Sequence, residues 1–158
     1  MIIDLKYNEI IFIEIQRVFH TFLVQNGYYL DFYHYRNRDI DRDYDELRFS
    51  NNKLHKSVVF GMIPFQISIL RKFKSIFYSI KKDRIEIVNI KYYYDQNQDK
   101  ANTIINYFED YKNLSNELPI ENSFTILKSY KEFMENKLMP IIKGEMWIDE
   151  LLKKVGLK

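Results

Sequence analysis

The sequence predicts an α+β fold: an N-terminal helix, an antiparallel β-meander of about four to five strands, and C-terminal helices packed on one sheet face. Three observations predict it. Apolar residues recur every three or four positions up to residue 25, β-branched and aromatic runs separated by turn residues fill positions 28–94, and helical spacing returns after position 99. Helices before and after a run of strands indicate helices packed on one sheet. With 158 residues and no repeat or linker, we expect a single α+β domain over 1–158.

The first helix is predicted over residues 8–25. Its apolar stripe consists of Ile11, Ile15, Val18, Phe19, Phe22 and Leu23. We expect Asn8 to cap the N terminus, since a side-chain oxygen there accepts from free backbone N–H groups. The pair Asn26-Gly27 is expected to end the helix, because glycine readily adopts the left-handed conformation that many helix ends require.

Strands are predicted wherever β-branched or aromatic residues cluster between turn signals. The candidate runs are 28–36, 47–49, 57–60, 65–70, 75–80 and 85–94. The last two flank Lys81-Lys82-Asp83-Arg84, a polar tetrad of hairpin-loop length, so we expect them to pair with each other. Segment 66–80 stays open between strand and helix, because a helical stripe also accounts for Ile69, Leu70, Phe73, Phe77 and Ile80.

Helical spacing after position 99 predicts three further helices. The first is based on Ile104, Ile105, Phe108 and Tyr111, the second on Phe124, Leu127, Tyr130, Phe133 and Met134, and the third covers 146–155. Asn122 or Ser123 is expected to cap the second of these, and Pro140 and Gly144 are expected to break the chain before the third.

Several kinds of chemistry lack the residues that they need. The chain has no cysteine, which excludes disulfides, thiolate nucleophiles and cysteine-bound metals, and its four glycines form no phosphate-binding loop or nucleophile elbow. The histidines His20, His34 and His55 show no metal-ligand spacing. We therefore expect no catalytic residue, no metal site and no cofactor.

The densest acidic feature is the run from residue 39 to residue 46. Its carboxylates are Asp39, Asp41, Asp43, Asp45 and Glu46. A calcium loop would need glycine at its sixth position and glutamate at its twelfth, where this chain has Tyr44 and Ser50. A paired-carboxylate hydrolase would need an apolar setting to raise one pKa, and none is evident. The remaining interpretations are a solvated loop and a surface that contacts a partner.

Charge is distributed unevenly along the chain. Residues 1–50 carry six bases and nine acids, residues 51–94 nine bases and two acids, and residues 95–158 nine bases and eleven acids. The middle segment therefore has a net charge of +7, and Lys81, Lys82 and Arg84 lie at its predicted hairpin. Bases beside aromatics are typical of single-stranded nucleic-acid surfaces, so a nucleic-acid-binding domain using 53–94 is the alternative interpretation. Whether the aromatic run 92–94 belongs to the core or to an interface stays open.

Opposed acidic and basic regions favour a protein partner, because such regions steer association and fix its register. The element order, small size, absence of an active-site motif and AT-rich type of composition resemble the small bacterial immunity proteins that neutralise a toxin. The resemblance implies a non-enzymatic protein that occludes a toxin domain. We expect a cytoplasmic protein with no membrane partner, since the first residues show no secretion signal and no apolar run reaches the length of about 20 residues that a bilayer span needs.

Overall fold

A computed structural model describes residues 4–34, 46–62, 65–73, 76–77, 84–89, 104–111, 114 and 118–156. These residues form an N-terminal helix, an antiparallel sheet and C-terminal helices, so the predicted α+β class is confirmed. The α-helices are α1 Asp4–Gln25, α2 Ser123–Lys137, α3 Met139–Ile142 and α4 Ile148–Lys154, with 3-10 helices at Ile104–Tyr107 and Ile120–Asn122. The strands are β1 Tyr29–His34, β2 Glu46–Asn51, β3 Lys56–Met62, β4 Phe65–Phe73, β5 Ile76–Phe77 and β6 Arg84–Asn89.

The end of α1 follows the sequence prediction. Gly27 has a φ of 89° and donates its N–H to the carbonyl of Val24, while Tyr28 donates to the carbonyl of Leu23. This pair of bonds is a Schellman motif, which satisfies carbonyls that the last helical turn would otherwise leave open. The start of α1 differs: the helix begins at Asp4, so the predicted cap at Asn8 is wrong.

The sheet runs antiparallel in the order β1-β2-β3-β4, with β6 also paired to β4. Strand β4 extends from 65 to 73, and Ile76–Phe77 is also a strand, which decides against a helix in these parts of segment 66–80. The predicted pairing of 75–80 with 85–94 is wrong in the described residues: β5 pairs with residues 72–73 of β4, and β6 pairs with residues 66–70. Burial explains this choice, because β6 places Ile85 opposite Ile69 and covers a central strand that two residues of β5 cannot cover.

The helices α1, α2 and α3 contact one face of the sheet. Phe19 of α1 lies 4.7 Å from Phe60 of β3 between ring centroids, and Tyr130 of α2 lies 6.3 Å from Phe65 of β4. One continuous apolar cluster joins residues of α1, the sheet, the 3-10 helix at 104–107, α2, α3 and α4. The predicted packing of the C-terminal helices on one sheet face is therefore confirmed.

The C-terminal region departs from the sequence prediction in its details. The predicted helix based on Ile104 to Tyr111 is a single 3-10 turn over Ile104–Tyr107 followed by a turn. Pro140 lies inside the first turn of α3 instead of breaking the chain. Proline is tolerated there because the backbone N–H groups of the first helical turn have no acceptor within the helix, so the missing N–H of proline costs no hydrogen bond. Gly144, with a φ of 79°, does end α3 as predicted.

Candidate functional site

The eight predicted partner-binding residues fall into two groups. Asp39, Asp41, Asp43, Asp45, Lys81 and Lys82 lie outside the described residues, as does the aromatic run 92–94. Glu46 and Arg84 lie at the first positions of β2 and β6. The backbone of these two residues therefore shows where the acidic run and the basic tetrad are joined to the sheet.

Glu46 has a partner within its own strand. Its Oε1 accepts a hydrogen bond from Arg48 Nη2 at 2.8 Å, and the two side chains are only 16% and 24% exposed. This part-buried ion pair fixes the direction of both side chains. The Glu46 carboxylate is therefore directed toward Arg48.

Arg84 and Glu46 lie diagonally apart in the sheet. Arg84 is opposite Leu70, Leu70 is opposite Ser57, and Ser57 is opposite Ser50, four residues along β2 from Glu46. Four residues along a strand and three strand spacings across the sheet separate the two Cα atoms by about 20 Å. The structure does not bring these two predicted residues together.

Lys56, one of the bases of the middle segment, is buried. It is 7% exposed, and its Nζ donates to the carbonyl oxygen of Ile141 at 2.7 Å. The same Nζ lies 5.1 Å from the ring centroid of Trp147, and the guanidinium carbon of Arg71, directly opposite Lys56 on β4, lies 4.6 Å from that centroid. Two cations thus contact one indole ring between the sheet and the C-terminal helices.

Burial is the main cause of an altered pKa at Lys56. Loss of water and the nearby charge of Arg71 lower the pKa, Glu150 partly offsets them, and the result is a pKa of about 8. At neutral pH the amine is mostly protonated and binds the end of α3, where cations are favoured. Sequence reasoning missed this site. Lys56, Val58 and Phe60 are two positions apart and share one sheet face, so the burial of Lys56 could have been inferred from the apolar residues on its side of the strand.

A polar ladder occupies the opposite sheet face. Ser50 Oγ donates to Asp31 Oδ2 at 2.8 Å and lies 2.8 Å from Ser57 Oγ. Both serines are buried, whereas Asp31 is exposed. These hydrogen bonds link β1, β2 and β3 through side chains. They satisfy the hydrogen-bonding capacity of the two buried hydroxyls, which is the usual structural role of such groups.

The described histidines do not converge. His20 is exposed on α1 with its ring centroid 6.4 Å from that of Phe49, and His55 is exposed in the β2–β3 turn with a φ of 54°. Among the described residues, no group of three or more His, Asp or Glu side chains is placed to hold a metal ion. A surface depression of about 290 Å³ lies elsewhere, lined by Tyr107, Phe108, Glu109, Asp110, Lys137 and Val155.

No protein-family model, curated protein or solved structure matches this chain. Within the part of the chain that the structure describes, none of the helices combines the length and the apolar character needed to cross a membrane.

Proposed function

We propose that the chain is a non-enzymatic protein-binding module, most concretely a bacterial immunity protein that acts in the cytoplasm by occluding the active site of a cognate toxin. The observation that supports this best is the diagonal separation of Glu46 and Arg84. The acidic run is joined to the sheet at Glu46 and the basic tetrad at Arg84, about 20 Å away by strand geometry. Opposite charges held near these two distant points of the sheet would give the molecule a dipolar surface.

A dipolar surface suits the capture of a protein that carries the complementary pattern. Opposed charges raise the association rate and select one orientation of the partner, since the reversed orientation places like charges together. Occlusion of a toxin then requires only that the correctly oriented complex covers the toxin's active site. No bond chemistry by this chain is needed.

The test uses the product of the gene adjacent to this one as the candidate toxin. Two triple variants, D41N/D43N/D45N and K81Q/K82Q/R84Q, are compared with the parent in growth protection on co-expression and in association rate at several salt concentrations. The control is K153Q/K154Q, because both lysines are exposed on α4. We expect at least one triple variant to associate about tenfold more slowly at low salt, an effect typical of lost steering, with the control unchanged.

Two results would overturn the proposal. One is the absence of binding and protection by the parent chain, and the other is equal association rates for both triple variants and the parent. A gel shift with single-stranded nucleic acid at about 50 mM salt that weakens steeply as salt is added, without protection, would replace the proposal by the nucleic-acid alternative. The burial of Lys56 supports the protein partner, because it withdraws one base of segment 53–94 from contact with phosphates.

A further inference from the structure

An exposed apolar surface with two cations lies where α1 meets the start of α2. We call it the Phe124 patch, and it consists of Ile13, Arg17, Ile120, Phe124 and Lys128. The exposed fractions of Ile13, Ile120 and Phe124 are 52%, 40% and 37%. The guanidinium carbon of Arg17 lies 4.7 Å from the Phe124 ring centroid and Lys128 Nζ lies 5.4 Å from it. Ile13 precedes Arg17 by one helical turn, so the patch continues along α1.

The apolar residues of the patch are not part of the stripe that α2 buries. The buried apolar residues of α2 are Leu127, Tyr130, Phe133 and Met134. Phe124 lies about 100° around the helix axis from the centre of that stripe. Ile13 lies on the side of α1 away from its own buried residues Ile11, Ile15 and Phe19. Core packing therefore does not account for the apolar character of these positions.

The charges of the patch favour carboxylates. Arg17 donates through Nη1 to Glu14 at 2.8 Å, but the Arg17 side chain is 60% exposed and that of Glu14 only 14% exposed. A guanidinium has five N–H donors, so most of those of Arg17 remain for a second acceptor. Lys128, on the other helix, is also exposed. The two cations contact one aromatic ring, so carboxylates on both sides of an apolar group would complement the patch.

We propose that the Phe124 patch binds an acidic segment of a partner protein, with an apolar side chain against Phe124, Ile13 and Ile120 and carboxylates on Arg17 and Lys128. The inference rests on the proposed function as a protein-binding module and specifies the chemistry of the partner segment. An anionic membrane is the less suitable occupant, because a peptide can place single carboxylates on Arg17 and Lys128, whereas a uniformly negative surface would also face Glu14 and the exposed Glu121 beside the patch.

The experiment selects ligands from a display library of random 12-residue peptides against the full chain. We expect the enriched peptides to carry an apolar residue flanked by Asp or Glu. Their dissociation constants, measured by fluorescence anisotropy, should rise at least about tenfold in R17Q/K128Q, because the loss of even one of the two hydrogen bonds to a charged group has an effect of that size. The charge-matched control K153Q/K154Q should bind like the parent.

A second pair of variants tests the apolar half of the patch without changing charge. Ile13→Ser should weaken the same peptides, whereas Val155→Ser, which also alters an exposed apolar residue (45% exposed), should not. Thermal melts confirm that each variant is folded. The inference is overturned if no peptide is enriched, if the enriched peptides lack the acidic and apolar pattern, if R17Q/K128Q and Ile13→Ser bind them as the parent does, or if the chain binds phosphatidylserine vesicles through these residues instead.

The two proposals can fail separately. If the parent selects no acidic peptides, while R17Q/K128Q and Ile13→Ser protect against the toxin as well as the parent does, the Phe124 patch is not a docking site and the immunity function stands. If the peptides bind the patch as expected but no toxin is neutralised, the immunity function is wrong while the acidic-segment site remains.

Discussion

Lys56 lies at a position in the sheet where its ammonium group is buried away from water. It shares a face with Val58 and Phe60, so its side chain points under α3 and α4, where its Nζ reaches the carbonyl of Ile141. Reading the alternation of β3 could have predicted this burial, but the acceptor and the Trp147 ring come from residues more than 80 positions away in the sequence. Such long-range partners have no local signal, which is why a base counted as surface charge proved to be a core residue.

The lowered pKa of Lys56 predicts a rise in stability with pH. The unfolded chain holds the proton up to the ordinary pKa of 10.5, whereas the folded chain releases it above about 8. Between these values the unfolded state binds more protons, so the free energy of unfolding increases with pH. At about 1.4 kcal/mol per pKa unit, the parent should gain about 2 to 3 kcal/mol relative to Lys56→Met between pH 7 and pH 10.

Guanidinium unfolding curves at the two pH values measure this gain. The comparison with Lys56→Met cancels the contribution of other titrating groups, including Tyr28, whose pKa burial raises far above its usual range, and Tyr130, whose pKa burial raises to about 12. Lys153→Met, on the exposed side of α4, is the matched control and should show no such gain. A constant difference between the parent and Lys56→Met from pH 7 to pH 10 would contradict the prediction.

At the scale of elements, periodic segments were predictable and their partners were not. The apolar stripes of α1 and α2 and the β-branched content of β3 are local patterns, and each gave an element of the correct type, whereas most of β4 stayed open between strand and helix. The pairing of β6 with β4 depends on burying Ile69 and Ile67, which only the assembled sheet requires. The candidate site follows the same rule: Glu46 was named from local charge, whereas its ion pair with Arg48 and the Phe124 patch depend on the fold.

The connection from α1 to β1 gives a prediction about one backbone position. Gly27 has a φ of 89°, and a Cβ there would lie 2.9 Å from Nδ2 of the buried Asn51. The Asn51 side chain is held by two hydrogen bonds: its Nδ2 donates to the carbonyl of Asn26, and its Oδ1 accepts from the N–H of Leu54. Gly27→Ala should therefore lose about 1 to 2 kcal/mol for the left-handed backbone and about 1 kcal/mol more for disturbing Asn51. Denaturant unfolding measures the total.

Gly156→Ala separates these two costs. Gly156 has a similar φ of 78°, but nothing lies within 4 Å of the position of its Cβ. We expect Gly156→Ala to show the backbone cost at most, so that Gly27→Ala is the more destabilised variant by about 1 kcal/mol or more. Equal losses in the two variants would show that Asn51 moves aside without cost.

For the whole molecule, the sequence predicts one domain, and the packing gives a physical reason to expect cooperative unfolding. A single apolar cluster contains residues from α1 to α4, and two hydrogen bonds from the sheet side of the chain end on α3: Tyr28 Oη donates to the carbonyl of Ile142 at 2.8 Å, and Lys56 Nζ to that of Ile141 at 2.7 Å. Detaching α3 and α4 would break both bonds and expose the cluster, so we expect no stage in which these helices unfold alone.

The single tryptophan makes this expectation measurable, since Trp147 is 9% exposed and lies directly before α4. Its fluorescence reports the C-terminal helices, while circular dichroism at 222 nm reports helix content throughout the chain, which α1 and α2 dominate by length among the described residues. If the chain is one cooperative domain, the two signals give the same midpoint and the same denaturant slope. A fluorescence transition at a lower denaturant concentration than the dichroism transition would instead divide the chain into two units. In that case a substitution that removes the hydrogen-bond donor of Lys56 or Tyr28 should widen the gap between the two midpoints.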